Sequence, residues 1–241
     1  DDYMMPNATA YNETCANIAN AMFNWRMLGL KGKAKYADIL ELVLHNSAMV
    51  GISLDGKNYF YANPLRMNHG QRDYDGHRDA TESANREPYI ECFCCPPNLV
   101  RTIAKVSGWA YSLSDKGVAV NLYGGNKLDT ELLDGSPLKL TQQTGYPWDG
   151  AVKICVDACR SESFELMLRI PAWAAGSSLL VNGQAVEVVP GTYAKIEREW
   201  KAGDTVTLNM PLAITFVEGH PFIEEIRNQV AIKRGPVVYC V

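Results

Sequence analysis

Near Tyr111 the hydrophobic period changes from that of a helix to that of a strand, so no single layer type can hold all 241 residues. Before that point the apolar positions predict three helices. The first carries Ala16, Ile18, Ala19, Met22, Phe23, Met27 and Leu28 on one face, with Pro6, Asn7 and Thr9 as a start signal and Gly29 at its end. The second covers residues 36–50, with Ile39, Leu40, Val43, Leu44 and Ser47 at helical spacing and Gly51 just past the end. The third covers residues 97–109, with Pro97 in its first turn and Leu99, Val100, Ile103, Ala104 and Val106 inward. Between the second and third, ISLDGKNYFY reads as a hairpin turning at Asp55-Gly56. Residues 68–88 follow as a polar loop in which eight of 21 residues are charged, which rules it out as core.

Beyond Tyr111 the chain breaks into short alternating runs at 118–123, 152–156, 164–170, 179–181, 193–199, 206–210 and 214–217. Gly, Pro, Asn-Gly and Asp-Gly punctuate them about every ten residues, the signature of an antiparallel sandwich. The pattern therefore predicts an α + β multidomain chain divided as 1–111, 112–217 and 218–241, the last being the start of a further β module. A net charge of −4 without a basic run argues against nucleic acid and anionic membrane as partners. No apolar stretch reaches the roughly 18 residues of a membrane span. The chain begins without Met and stops inside the apolar run GPVVYCV, which reads as a piece of a longer protein.

Seven cysteines, an odd number in a chain this long, do not read as a disulfide framework. Cys155 and Cys159 lie about 13 Å apart on a regular strand and, with Cys240, read as small core residues. Cys15 and the run Cys92-Phe93-Cys94-Cys95 are different. The residue before a proline favours extended backbone, so Cys95 before Pro96 is expected to be extended and to lead into a helix. That helix's N-terminal field would lower a nearby thiol pKa. Glu13 and Cys15, two apart, do not share a helix face and can meet one ion only from an irregular or first-turn segment. Three sulfurs and a carboxylate would form a tetrahedral zinc site; unrelated buried cysteines and a redox thiol pair are the competing readings of the same spacing.

The segments YNETCANIANAMFNWRML, YFYANPL, CFCCPPNLVRTIAKVSGWAYS, LMLRIPAWA, LLVNGQ, EREWKAGDTVTLNMPL and NQVAIKRGPVVYC resemble glycoside hydrolase family 127, the β-L-arabinofuranosidase-like enzymes, nearly end to end. The resemblance implies the C-terminal helices of an (α/α)6 barrel followed by β-sandwich modules. It also implies a Zn2+ ion held by Glu13, Cys15, Cys94 and Cys95, with Cys94 as the nucleophile of a retaining mechanism. Tyr61, in the FYxNPL segment, would line the sugar pocket. The implied partner is an arabinose-containing oligo- or polysaccharide, and a homodimer is compatible with the family.

One departure is large. The family's acid/base glutamate lies upstream of the ExC glutamate, at a position that here falls before Asp1, and its pocket histidines belong to earlier helices. Of the histidines present, His45 and His220 read as structural, while His69 and His77 in the polar loop could rim a pocket. Two alternatives compete with the thiolate mechanism. Zinc could merely pin the ETC segment to the CCPPN loop. The chain could instead be a non-catalytic carbohydrate-binding piece using Trp148 or Trp173, side chains that core packing also explains.

Overall fold

A computed structural model describes residues 3, 7, 10–63, 65, 85–160 and 163–240. Most of the polar loop, with His69 and His77, lies outside them. Among the described residues the elements are α1 (Thr14–Lys31), α2 (Ala34–Val43), α3 (Cys95–Lys105) and thirteen strands from β1 (Tyr111–Ser114) to β13 (Val237–Tyr239). The fold is thus mixed α and β. No helix among the described residues is long and apolar enough to cross a membrane. The chain forms two compact units, one of Asp1–Phe23, Leu40–Val106 and Ile214–Val241, the other of Asn24–Ile39 and Ser107–Ala213.

The second unit is built on two sheets around one core. β1, β2 (Gly117–Val120), β6 (Ser163–Ile170) and β9 (Thr192–Glu199) form a four-stranded sheet in that order. The six-stranded sheet runs β3 (Asn126–Glu131), β4 (Pro137–Thr144), β5 (Ala151–Cys159), β10 (Thr205–Asn209), β7 (Ser178–Val181) and β8 (Gln184–Val186). Alternation places Leu138 and Leu140 of β4, Val152, Ile154 and Val156 of β5, and Leu166, Leu168 and Ile170 of β6 in the core with Trp200. The expectation of a wholly antiparallel sandwich needs one correction, because β2 and β6 pair in parallel. The three strands between them in sequence belong to the other sheet, and that long crossover allows β6 to return in the direction of β2. Gly117 makes the pairing fit: a Cβ there would lie 2.1 Å from the carbonyl oxygen of Glu165.

Of the two β5 cysteines, one departs from the expectation of a core residue. Cys155 alternates out of the core and is half-buried. A bulge facing Lys139/Leu140 inserts one residue into β5 and shifts its phase, so Cys159 packs against the core, its Sγ 3.1 Å from the Trp200 carbonyl. Cys240 is exposed.

On its other face β6 carries Arg169, fully buried. Its Nε donates to the Asn121 carbonyl at 2.6 Å and its NH1 meets Asp38 Oδ1 at 2.6 Å. Asp38 Oδ2 accepts the Ala172 N–H at 3.2 Å, and the guanidinium lies 5.7 Å over the Tyr123 ring. Tyr123 donates its hydroxyl to the Arg169 carbonyl. Tyr193 donates to Asn121 Oδ1 at 2.6 Å, and burial pushes its phenol up to about 12.

The helices end differently from their sequence signals. α1 begins at Thr14 and runs past Gly29 to Lys31, where Gly32 at φ 59° closes it by donating to the Leu28 carbonyl. α2 stops at Val43 and passes through a π-turn (Leu44–Ala48) into a 3-10 turn (Met49–Gly51). The π-turn re-aims Asn46. Its Nδ2 donates to the Leu42 and Pro236 carbonyls at 2.7 and 2.9 Å, while its Oδ1 accepts the Val238 N–H at 2.8 Å. That amide sits against β13 of the three-stranded sheet β11 (Ile214–Glu218), β12 (Val230–Arg234), β13.

Removing the partner of a buried charge costs about 3–5 kcal/mol. Asp38→Ala is therefore expected to destabilise the protein by about that amount in urea unfolding. A loss under about 1 kcal/mol, the surface-pair range, would show that solvent reaches Arg169.

Candidate metal centre

A backbone clasp positions the first two donors. Residues 59–63 run beside residues 12–14: Thr14 N–H donates to the Tyr61 carbonyl at 2.8 Å, and Asn63 N–H donates to the Asn12 carbonyl at 2.8 Å. The Thr14 hydroxyl, fully buried, donates to the Phe60 carbonyl at 3.0 Å. Asn17 Nδ2 braces the entry to α1 by donating to Asn12 Oδ1 and the Glu13 carbonyl at 2.7 and 2.9 Å. Gly51 closes the packing, since a Cβ there would sit 3.0 Å from the Thr14 side chain. With Thr14 inward, Glu13 precedes the helix and Cys15 lies in its first turn, so the two share a side despite their spacing.

The other two donors come from the start of α3. The expectation of an extended Cys95 is overturned: Cys94 is the N-cap, with helical φ −94° and ψ −40°, and Cys95 is the first helical residue. Proline is tolerated in a first turn because its missing N–H would be unpaired there anyway. In a helix adjacent side chains diverge by about 100° rather than opposing each other, so both sulfurs reach one point, 3.5 Å apart. The rotation of α3 follows from Cys95: Cys95, Leu99 and Thr102 are buried, whereas Val100, Ile103 and Ala104, expected inward, are exposed. On α1 likewise, Ile18, Ala21 and Leu28 are buried while Ala16, Ala19 and Phe23 are exposed.

Glu13, Cys15, Cys94 and Cys95 thus bring one oxygen and three sulfurs within 4.8 Å of one another, the one such group among the described residues. Glu13 Oε1 lies 3.7 Å from the Cys94 sulfur and 3.8 Å from that of Cys95. A tetrahedral ion with bonds of about 2.3 Å to sulfur spaces its ligand atoms by about 3.8 Å, so both the donor chemistry and the spacing suit zinc. Burial pushes the Cys94 and Cys95 thiols up. Desolvation thus works against the lowering expected from the helix N-terminus.

Around the cluster, Tyr61 shares a 2.8 Å hydrogen bond with Tyr11, and Tyr11 donates to Glu13 Oε2 at 3.0 Å. The bond to Tyr11, with burial, pushes the Tyr61 phenol up. Asn98 Nδ2 donates to the Cys15 sulfur at 3.3 Å. Neither Tyr11 nor Asn98 emerged from the sequence. Tyr11 was legible as a phenol two residues from Glu13, but the Asn98 contact spans 83 positions and leaves no local signal. Cys92 is exposed with its sulfur 4.0 Å from Cys94, outside the four-donor group. His45 lies in the π-turn and His220 stacks on Tyr3 at 4.3 Å; neither joins the cluster. Trp173 packs against the sandwich core, and Trp148 is exposed.

Helices carrying a thiol-rich cluster that could hold a metal ion, with β-sheets downstream in the chain, define a mixed α and β protein. Three family profiles give the particular group. "Beta-L-arabinofuranosidase, GH127 catalytic domain" matches residues 1–108, the GH127 middle domain residues 117–212, and the family 127 C-terminal domain residues 214–241. The chain belongs to glycoside hydrolase family 127. It is 37% identical to a non-reducing end β-L-arabinofuranosidase of Bifidobacterium longum, over 99% of the chain and 36% of that relative. A crystal structure of a GH127 β-L-arabinofuranosidase from Geobacillus stearothermophilus T6 matches all of the chain with TM-score 0.91 at 39% identity. A solved structure described as a glycoside hydrolase also gives 0.91, at 48% identity over 99% of the chain. The chain spans 38–39% of the length of these two structures.

The raised thiols fix the sign of a pH dependence. Cys94 and Cys95 are protonated at neutral pH without a cation, so binding must expel at least two protons. Zinc affinity, measured by chelator competition between pH 6 and 8, should then rise by at least about 100-fold per pH unit. A flat profile would mean that the sulfurs are not the ligands. Cys15→Ala should lower zinc content by elemental analysis, while Cys92→Ser should keep it.

Proposed function

We propose that a protein containing this chain is a retaining glycoside hydrolase that removes β-L-arabinofuranosyl residues from arabinose-containing oligo- or polysaccharides. The observation that carries this reading is the convergence of Glu13, Cys15, Cys94 and Cys95 in a chain of family 127. Residues 1–111 are read as the C-terminal part of an (α/α)6 barrel, 112–217 as a sandwich domain and 218–241 as the start of a further β module. The successive profile matches support the order of three parts, with the last match beginning at residue 214.

Glu13, Cys15, Cys94 and Cys95 would hold Zn2+, which when bound keeps the sulfurs deprotonated at neutral pH. Cys94 is the nucleophile in this reading. Its sulfur is half-buried and sits at the N-cap, ahead of the helix, whereas Cys95 is buried and tethered to Pro96. The Cys94 sulfur forms a bond to the anomeric carbon as the glycosidic oxygen leaves. An acid outside residues 1–241 protonates the departing oxygen, and water then releases the sugar with net retention. In this reading Tyr61 contacts the sugar, and its bond to Tyr11 beside Glu13 supports that role.

The experiment uses the full-length protein and a mechanism-based inhibitor with an electrophilic anomeric carbon, followed by peptide mass spectrometry. A thioether adduct on Cys94 is expected. Cys94→Ser should lower kcat by roughly 10⁴-fold or more, the scale of losing a nucleophile. An adduct on Glu13 or another carboxylate would demote Cys94 to a structural ligand and end the thiolate mechanism.

A further inference from the structure

The four donors are not equally supported by their surroundings. Glu13 turns Oε1 toward the sulfurs, 3.7 and 3.8 Å from Cys94 and Cys95, while its Oε2 accepts the Tyr11 hydroxyl at 3.0 Å. A phenol has one hydrogen. Since that of Tyr11 goes to Glu13, the 2.8 Å bond between Tyr11 and Tyr61 must be donated by Tyr61. A chain of hydroxyls therefore runs Tyr61 to Tyr11 to Glu13 and fixes which carboxylate oxygen faces the cluster. Cys15 takes an N–H from Asn98 at 3.3 Å. Among the described residues, the side-chain contacts of the Cys94 sulfur are other sulfurs and Glu13 Oε1, with no nitrogen donor.

A hydrogen bond to a thiolate withdraws electron density, so a sulfur that accepts one is a poorer nucleophile and a more passive ligand than a neighbour that accepts none. We propose that Tyr11 and Asn98 are positioning residues that divide the cluster into two anchors, Glu13 and Cys15, and a sulfur with no N–H donor among the described residues, Cys94, left for reaction. The inference rests on the proposed metal centre and adds what the ligand set alone does not supply: why the Cys94 sulfur should differ from that of Cys15. Asn98 occupies the first turn of α3, which lets one short helix present two of the ligands and also the donor that damps a third.

The test uses the full-length protein loaded with Zn2+ or with Co2+ as a spectroscopic substitute. Tyr11→Phe keeps the ring and removes the hydroxyl. It should lower zinc affinity about 10–100-fold in chelator competition while leaving the thiolate-to-cobalt absorption band in place, because it acts on the carboxylate. Asn98→Asp is isosteric and suits a helix first turn, but it turns an acceptor toward Cys15. It should shift the thiolate-to-cobalt band and lower affinity, with Asn98→Ala moving the band the same way by less. Wild-type affinity and spectrum in all three variants would overturn the inference, and an affinity loss in Asn98→Asp without a band shift would reduce Asn98 to packing. Wild-type protein that takes up neither metal would instead bring down the metal centre, and this inference with it. Band and affinity changes as expected would support the division of roles even if the inhibitor left Cys94 unlabelled.

Discussion

The pairing of residues 59–63 with residues 12–14 is the constraint on which the site depends. Without it, nothing local would bring Glu13 and Cys15 to one side or hold their helix start against Cys95, whose sulfur also lies 3.8 Å from the Tyr61 carbonyl. Magnitudes separate the roles of clasp and metal. Each backbone hydrogen bond contributes only about 1 kcal/mol net, so the few in the clasp set register more than they supply cohesion. A structural zinc site contributes on the order of 10 kcal/mol, enough to hold four donors together but not to choose which face of a helix start they occupy. The clasp selects the geometry, and an ion would lock it.

Arg169 poses the corresponding question in the sandwich unit. A guanidinium with no exposure is costly unless each of its faces is matched, and here a carbonyl, a carboxylate and an aromatic ring are all in place. Asp38 does two things at once, pairing the charge and capping the Ala172 N–H. An apolar side chain of similar volume could fill the same space. It would not specify that residue 38 sits beside residue 172, which is the kind of specificity that buried polar networks supply.

How much was legible beforehand varied with the physics of each element. Strands whose inward residues are apolar, such as β5 and β6, stood out by alternation. β3 and β4 did not, because Asn126 and Thr130 are half-buried and Gln142 is fully buried, so polar groups occupy inward positions and break the pattern. Helix existence was plain, but helix faces were misread wherever a long-range contact set the rotation, as Cys95 does for α3. Gly51 looked like a helix terminator from its position. It is instead a close-approach residue for Thr14, a demand made by a partner 37 positions away in the chain. The four donors were nameable because two short motifs carry them. The groups that tune those donors were not, since Tyr11 is only a nearby aromatic in the chain and Asn98 only a helix residue.

Asn46 has a consequence beyond local anchoring. β13 pairs with β12 from Val237 to Tyr239, yet the Val238 N–H is donated to Asn46 rather than to β12. The Asn46 amide supplies an acceptor for that N–H and a donor for the Pro236 carbonyl, the two contacts a neighbouring strand would make. One side chain, turned by a π-turn, thus acts as a single rung of a missing strand. At that rung the sheet margin is already engaged, which denies other chains a template for adding on.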